Sequence, residues 1–243
     1  MNKIFLIPLL IIYGSASSQD RIKTDNGDIA VTPILHGSLV LGWNDLNIYV
    51  DPYGGADSFD GIRDPDLILI TDIHGDHLNQ ETLNEIKIES ADFLVPQAVY
   101  DKLSEPMQNK SVVIDNYEVE EWKEIVIRAI PMYNLPEDED SRHPRGRGNG
   151  YILTIDGKHI YISGDTEDIE EMRKLNDIEI AFICMNQPYT MSVEQAADAV
   201  NEFKPKIVYP YHYRGKDGLS DVEKFKELVN EGIEVRLRDW YPK

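Results

Sequence analysis

Apolar positions along this chain come in short bursts separated by Gly, Asn, Asp and Pro, a spacing that suits strands and turns better than long helices. "DIAVTPI", "SLVLGW" and "LNIYVDP" predict three successive strands. "DLILI" at 66–70 is a continuous apolar run, as expected of a strand covered on both faces. Next, "NQETLNEIKI" puts Leu83 and Ile86 on one helical face, "DFLVP" predicts a strand and "QAVYDKL" a helix. "SVVID", "YEVEEW" and "EIVIRAIPM" predict two or three further strands before a charged, Pro- and Gly-rich loop, "NLPEDEDSRHPRGRGNG". "YILTIDGKHIYISGDT" predicts a hairpin turning at Asp156–Gly157.

The last third alternates helix and strand: "DIEEMRKL", "IEIAFICMN", "SVEQAADAVNEF", "KIVYPYHY", "LSDVEKFKELVNEGI" and "EVRLRDWY". Ser192 with Gln195, and Ser220 with Glu223, have the spacing of capping boxes at two helix starts. Each half thus holds several strands and then strand–helix units, with no short-period repeat and no linker. Two sheets packed face to face with helices outside, in one α/β domain over 19–243, would bury these runs.

The first eighteen residues stand apart. "MNKIFLIPLLIIYGSASS" has a basic start, an apolar run too short to span a bilayer, and small residues near its end. That layout predicts a cleavable secretory leader over 1–18 and an exported chain, periplasmic or secreted, with no stable membrane insertion after cleavage. A single cysteine, Cys184, excludes an intrachain disulfide, and its apolar surroundings predict a buried, inert thiol. The 243-residue chain has a formal charge of −20, which repels polyanions and argues against nucleic-acid partners.

Candidate chemistry concentrates in "TDIHGDH", directly after the buried "DLILI" run. Asp72 and His74 are two apart and point the same way in extended backbone, while Gly75 permits a turn that redirects Asp76 and His77. Such a loop can serve one metal with its first pair and a neighbouring metal with its second. No G-x-S-x-G elbow or Gly-rich phosphate loop offers a competing nucleophile or phosphate cradle.

The same stretch resembles the H-x-H-x-D-H loop of the metallo-β-lactamase fold superfamily, with Asp72 where the first His would stand. "YISGDT" is similar to the family's strand ending in G-D-T, and "VYPYHY" to the late strand ending in its last His. "ILHGSLVLGWNDLNIYVDP" is similar to the opening of the ascorbate-phosphate-lactonase-like branch. The order of motifs holds from about residue 29 to 240. The resemblance implies a four-layer αββα sandwich and two divalent metals, zinc first, with a weaker preference over manganese or iron at the site that the oxygen of Asp72 hardens. It implies Asp72, His74, Asp76, His77, Asp165 and His212 as ligands, Asp165 bridging, and Asp76 as the catalytic group that orients and deprotonates the attacking water.

One family histidine is missing: the matching stretch "AIPMYNLP" has Asn134, and the nearest imidazole is His143, nine residues on. His143 is therefore either at the site, as a ligand or as a group contacting ligands and substrate, or an exposed loop histidine. Arg142, Arg145 and Arg147 either grip an anionic substrate, Arg145 foremost, or pair with the "EDED" at 137–140. Tyr213 either contacts the substrate or packs at the cleft wall, and His36 either donates to substrate or serves its turn. His159 reads as solvated. The implied activity is hydrolysis of a small-molecule ester, lactone, amide or phosphodiester. A non-catalytic metal- or ligand-binding protein is the competing expectation, and a di-iron redox enzyme a weaker one.

Overall fold

The computed structural model describes residues 19–242, so the predicted leader lies outside the described residues. Two seven-stranded sheets dominate. The first runs in chain order through β1 (Asp20–Thr24), β2 (Gly27–Leu35), β3 (Ser38–Trp43), β4 (Leu46–Val50), β5 (Leu67–Leu69), β6 (Asp92–Val95) and β7 (Ser111–Val113). The second is built from β8 (Val119–Trp122), β9 (Ile125–Met132), β10 (Gly148–Ile155), β11 (Lys158–Ile162), β12 (Ile178–Cys184), β13 (Ile207–Tyr211) and the short edge strand β16 (Glu234–Val235). A small ribbon of β14 (Arg214–Gly215) and β15 (Gly218–Leu219) lies between β13 and β16 in the chain.

The sheets repeat one plan. β1 to β4 pair antiparallel, and β4 to β7 pair parallel. In the second sheet β8 to β11 pair antiparallel, and β11, β12, β13 and β16 follow in parallel. Alternation explains the packing, because successive side chains of a strand face opposite ways. Leu39, Leu41, Ile48, Val50, Leu67 and Leu69 join Ile125, Ile127, Leu153, Ile160 and Ile162 of the other sheet in one large core. The alternate positions Val40, Tyr49, Ile68 and Phe93 join Leu83, Val99 and Met107 in a second core beneath the helices of the first half. Helix Val193–Phe203 covers the second sheet through Ala196, Ala199, Val200 and Phe203. Helices and sheets therefore stack as the predicted αββα sandwich.

Local chemistry fixes several boundaries. Asp156 and Gly157 have φ of 47° and 73°, the pair of left-handed residues a tight hairpin needs. Ser192 and Gln195 form the predicted capping box. At the later helix, however, the cap is Asp221, whose Oδ1 accepts from Lys224 N at 2.9 Å, and Ser220 instead donates to Met185 O. Most helices are shorter than the apolar pattern suggested: "QAVYDKL" yields only Gln97–Tyr100 and "DIEEMRKL" only Glu170–Arg173. "EVRLRDWY" pairs only at Glu234–Val235, after which the chain leaves the sheet but still buries Trp240. Among the described residues, no helix is long and apolar enough to cross a membrane.

Candidate metal centre

Strand ends from both sheets meet at one edge of the sandwich. The β2–β3 turn brings His36, the end of β4 brings Asp51, and the loop after β5 brings Thr71 to His77. From the second sheet come the β9–β10 loop with Asn134, His143 and Arg147, the end of β11 with Asp165, and the end of β13 with His212. Backbone bonds stitch this edge: His212 N donates to His36 O at 3.0 Å, and Asn149 N to Thr71 O at 2.9 Å. His36, Asp51 and His212 have φ of 59°, 45° and 46°, in the left-handed region that costs a side chain about 1 kcal/mol or more. Gly37 allows the tightest approach, because a Cβ there would stand 2.6 Å from His212 Cδ2.

Three groups of metal-ligand atoms converge, the last two sharing His212: Asp72 with His74 and His143, His77 with Asp165 and His212, and Asp76 with His36 and His212. His77 Nε2 lies 3.2 Å from His212 Nε2 and 3.3 Å from Asp165 Oδ2. Asp165 stands between the groups, its Oδ2 3.2 Å from His143 Nε2 and its Oδ1 3.4 Å from His212 Nε2. His74 Nδ1, His143 Nε2 and Asp165 Oδ1 are buried without hydrogen-bond partners among the described residues. His74 Nδ1 is nevertheless 2.6 Å from Asp72 Oδ2, a contact without hydrogen-bond alignment. Buried polar atoms left this way are costly unless something polar fills the space between them, and nitrogen and carboxylate donors around one point suit a divalent cation.

The surrounding groups orient the donors. Asp51 is fully buried and accepts from Thr71 N at 2.7 Å, from Thr71 Oγ1 at 2.6 Å and from His77 Nδ1 at 2.8 Å. The proton of His77 is thereby held on Nδ1, and its Nε2 faces Asp165 and His212. Asn134 does the same for His143: its Oδ1 accepts from His143 N at 2.9 Å and from His143 Nδ1 at 3.0 Å. Asn134 thus occupies the position of the missing histidine without entering the cluster, and it carries His143 in from nine residues away. His36 links Tyr241 Oη, 2.6 Å from its Nδ1, to Asp76 Oδ2, 3.1 Å from its Nε2.

Charge follows the geometry. Burial opposes ionisation of Asp72, but the His74 contact and the charges of His77, His74 and Arg147 outweigh it and hold its pKa at about 2. Asp76 and Asp165 are likewise buried against ionisation yet held well below the carboxylate range by the imidazoles around them. Burial disfavours the imidazolium of His77, but Asp165 and Asp51 beside it raise its pKa well above the ordinary value, so that a metal bound at Nε2 would displace a second proton from it.

For Arg145 and Tyr213 the side chains take the second of the two expected roles, meeting protein partners. Arg145 does not reach the cluster: its guanidinium bonds Glu137 and Glu171 and lies over the Tyr133 ring. Arg147 reaches it instead, with Nε and Nη2 each 3.0 Å from an oxygen of Asp72. Tyr213 packs edge-on against Tyr241, ring centroids 4.8 Å apart, and Tyr241 is the tyrosine bonded to His36. Arg142 lies over the Tyr189 ring. His159 bonds Asp177 O at the surface. Cys184 is buried and burial pushes its thiol up to about 11, in keeping with an inert role. Sequence reasoning missed Asp51 as the partner of His77 and Asn134 as the partner of His143. The strand ending in Asp51–Pro52 was the one available signal for the first.

The model of the beta-lactamase superfamily domain matches residues 30–212. A metal-dependent hydrolase of Pyrococcus abyssi is 32% identical over 179 residues, 71% of this chain and 78% of that one. Among solved structures, a metal-dependent hydrolase from Parabacteroides distasonis is 40% identical, with a TM-score of 0.81 over 91% of this chain and 98% of that one. The diiron β-hydroxylase CmlA from Streptomyces venezuelae shares the fold, with a TM-score of 0.64 at 18% identity over 89% of this chain and 54% of that one. The chain belongs to the beta-lactamase superfamily, among its metal-dependent hydrolases. None of these names carries the ascorbate-phosphate-lactonase branch.

Proposed function

We propose that this chain hydrolyses a small-molecule ester or lactone with divalent metal held by Asp72, His74 and His143 on one side and by Asp76, His77 and His212 on the other, Asp165 between them. The convergence of seven donor side chains from two sheets, several of them buried without partners, is the observation that carries this reading. When bound, the metal supplies a water acidified to a pKa of about 7 and Lewis acidity for the oxygen under attack. Asp76, the most exposed carboxylate of the cluster, is ionised at neutral pH and orients the attacking water by accepting its hydrogen bond. His36 holds that carboxylate from the other side and is held in turn by Tyr241. Asp51 and Asn134 keep the protons of His77 and His143 away from the cluster.

The loop arginines bear on substrate class. Arg147 is committed to Asp72, Arg145 to Glu137 and Glu171, and Arg142 to the Tyr189 ring. With each guanidinium already engaged, neutral carbonyl compounds such as lactones and esters suit the site better than anionic phosphodiesters. Nucleic acid suits it least, given the chain's −20 charge. We also propose that residues 1–18 are removed on export, which N-terminal sequencing of protein recovered outside the cytoplasm checks.

The test is a hydrolysis screen with lactones, esters and phosphodiesters on metal-stripped chain, on chain reloaded with Zn²⁺ or Mn²⁺, and on the His77→Ala variant. Turnover restored by metal and lost in the variant is expected. Turnover that survives removal of the metal overturns the reading.

A further inference from the structure

The two sides of the metal centre are built unequally, and two independent features point the same way. The first is the state of Asp72. Both of its oxygens are bonded by Arg147, Nε to Oδ1 and Nη2 to Oδ2, each at 3.0 Å. Asp72 is fully buried and the Arg147 side chain is 19% exposed, so little water screens the pair. A guanidinium fork of this kind matches a carboxylate's charge and directionality and lowers what that carboxylate can offer a second cation. Asp76 has no such partner: its near neighbours are the imidazoles of His36 and His212.

The second feature is what stands behind the histidines. His77 donates from Nδ1 to the buried carboxylate of Asp51, which raises the donor strength of its Nε2. His143 donates from Nδ1 to the neutral amide oxygen of Asn134, which orients it without adding charge. On the Asp76–His77–His212 side there is thus an unneutralised carboxylate and a carboxylate-backed imidazole. On the Asp72–His74–His143 side there is a neutralised carboxylate and an amide-backed imidazole. Asp165 is shared.

We infer that Arg147 serves as a resident cation for Asp72, so that the protein holds one metal tightly at Asp76, His77, Asp165 and His212 and a second, exchangeable one at Asp72, His74 and His143. This rests on the reading of the cluster as a metal centre. The exchangeable position is the one that changes with metal supply, which makes Arg147 a determinant of metal stoichiometry in addition to local structure.

The experiment is competition titration of metal-stripped protein with Zn²⁺, and separately with Mn²⁺, against a chromophoric chelator, reading bound equivalents and their affinities. The wild-type chain is expected to take up one tight equivalent and a second about tenfold or more weaker. His77→Ala should abolish the tight equivalent. Arg147→Gln, which keeps a hydrogen-bonding amide near Asp72 but removes the competing charge, should tighten the second by about tenfold. Arg145→Gln, the same loss of charge outside the cluster, should leave both affinities within about twofold. Two equivalents of equal affinity in the wild-type chain overturn the inference while leaving the metal centre intact, and they decide it even if a variant fails to fold. An unchanged second affinity in folded Arg147→Gln overturns it as well. Uptake of neither metal by wild-type chain overturns the metal reading itself, and the inference with it.

Discussion

Replacing Asp51 by Asn changes one atom and, by the geometry of its partners, relocates a proton. Asp51 Oδ1 accepts from the backbone N–H of Thr71, which can only donate, so the amide oxygen of Asn must take that position. The amide NH₂ then falls where Oδ2 now accepts from Thr71 Oγ1 and His77 Nδ1. The Nδ1 proton of His77 then loses its carboxylate acceptor and is left with the hydroxyl of Thr71, 2.9 Å away, which favours its transfer to Nε2, the atom that faces Asp165 and His212. The left-handed backbone at position 51 is kept, since Asn tolerates it as well as Asp does. Loss of such a partner costs roughly 10–100-fold in metal affinity, or about 1.4–2.7 kcal/mol. With metal in excess that loss lowers the metal-linked rise in Tm by roughly 3–10 °C for a chain of this size. Elemental analysis after dialysis against graded chelator, alongside melts with and without Zn²⁺, measures both. An Asp51→Asn protein with wild-type metal retention and an unchanged melt would refute the tautomer argument.

Gly37→Ala should push a Cβ into the fully buried His212 ring, destabilising the fold by about 1–3 kcal/mol and reducing bound metal; urea midpoints and elemental analysis check it, and an unaltered protein contradicts the close approach. At the start of β1, Asp20 accepts from Tyr209, Arg236 and Arg238. Burial opposes its ionisation, but the Tyr209 bond and the two arginines hold its pKa below the ordinary 3.8. Its stabilisation is therefore complete above that ordinary value and is lost as pH falls through the lower folded one. Asp20→Asn should be less stable than wild type in urea at pH 7, and the gap should narrow near pH 3; a gap independent of pH would contradict this.

Much of the architecture was legible because it rests on alternation. "SLVLGW" and "LNIYVDP" sort into an inter-sheet face and a helix-covered face, as period two requires, and the Asp156–Gly157 turn declares itself in two residues. Helix lengths were less legible, since tertiary burial of Val99 or Met172 needs only one helical turn and apolar spacing does not mark where the chain leaves the helix. At the site, "TDIHGDH" exposes its donors because they are adjacent in sequence. His143 was reachable only as the nearest imidazole to a gap, because its partner Asn134 is defined by a loop closing on itself. The Arg147–Asp72 pair spans 75 residues and three arginines were equally placed to make it, so sequence could not choose between Arg145 and Arg147.

The doubled plan of the sheets has a consequence for where the centre can exist. Asp51, Asp72, His74, Asp76 and His77 come from the first half, and His143, Asp165 and His212 from the second. The contacts that join the two sets are far apart in the chain, 135 residues between His77 and His212. Each half can pair its own strands, but neither contains a finished centre, and the inner faces that bring the halves together are apolar almost to the rim. The centre therefore exists only where the two halves meet, as a clasp across the seam between them.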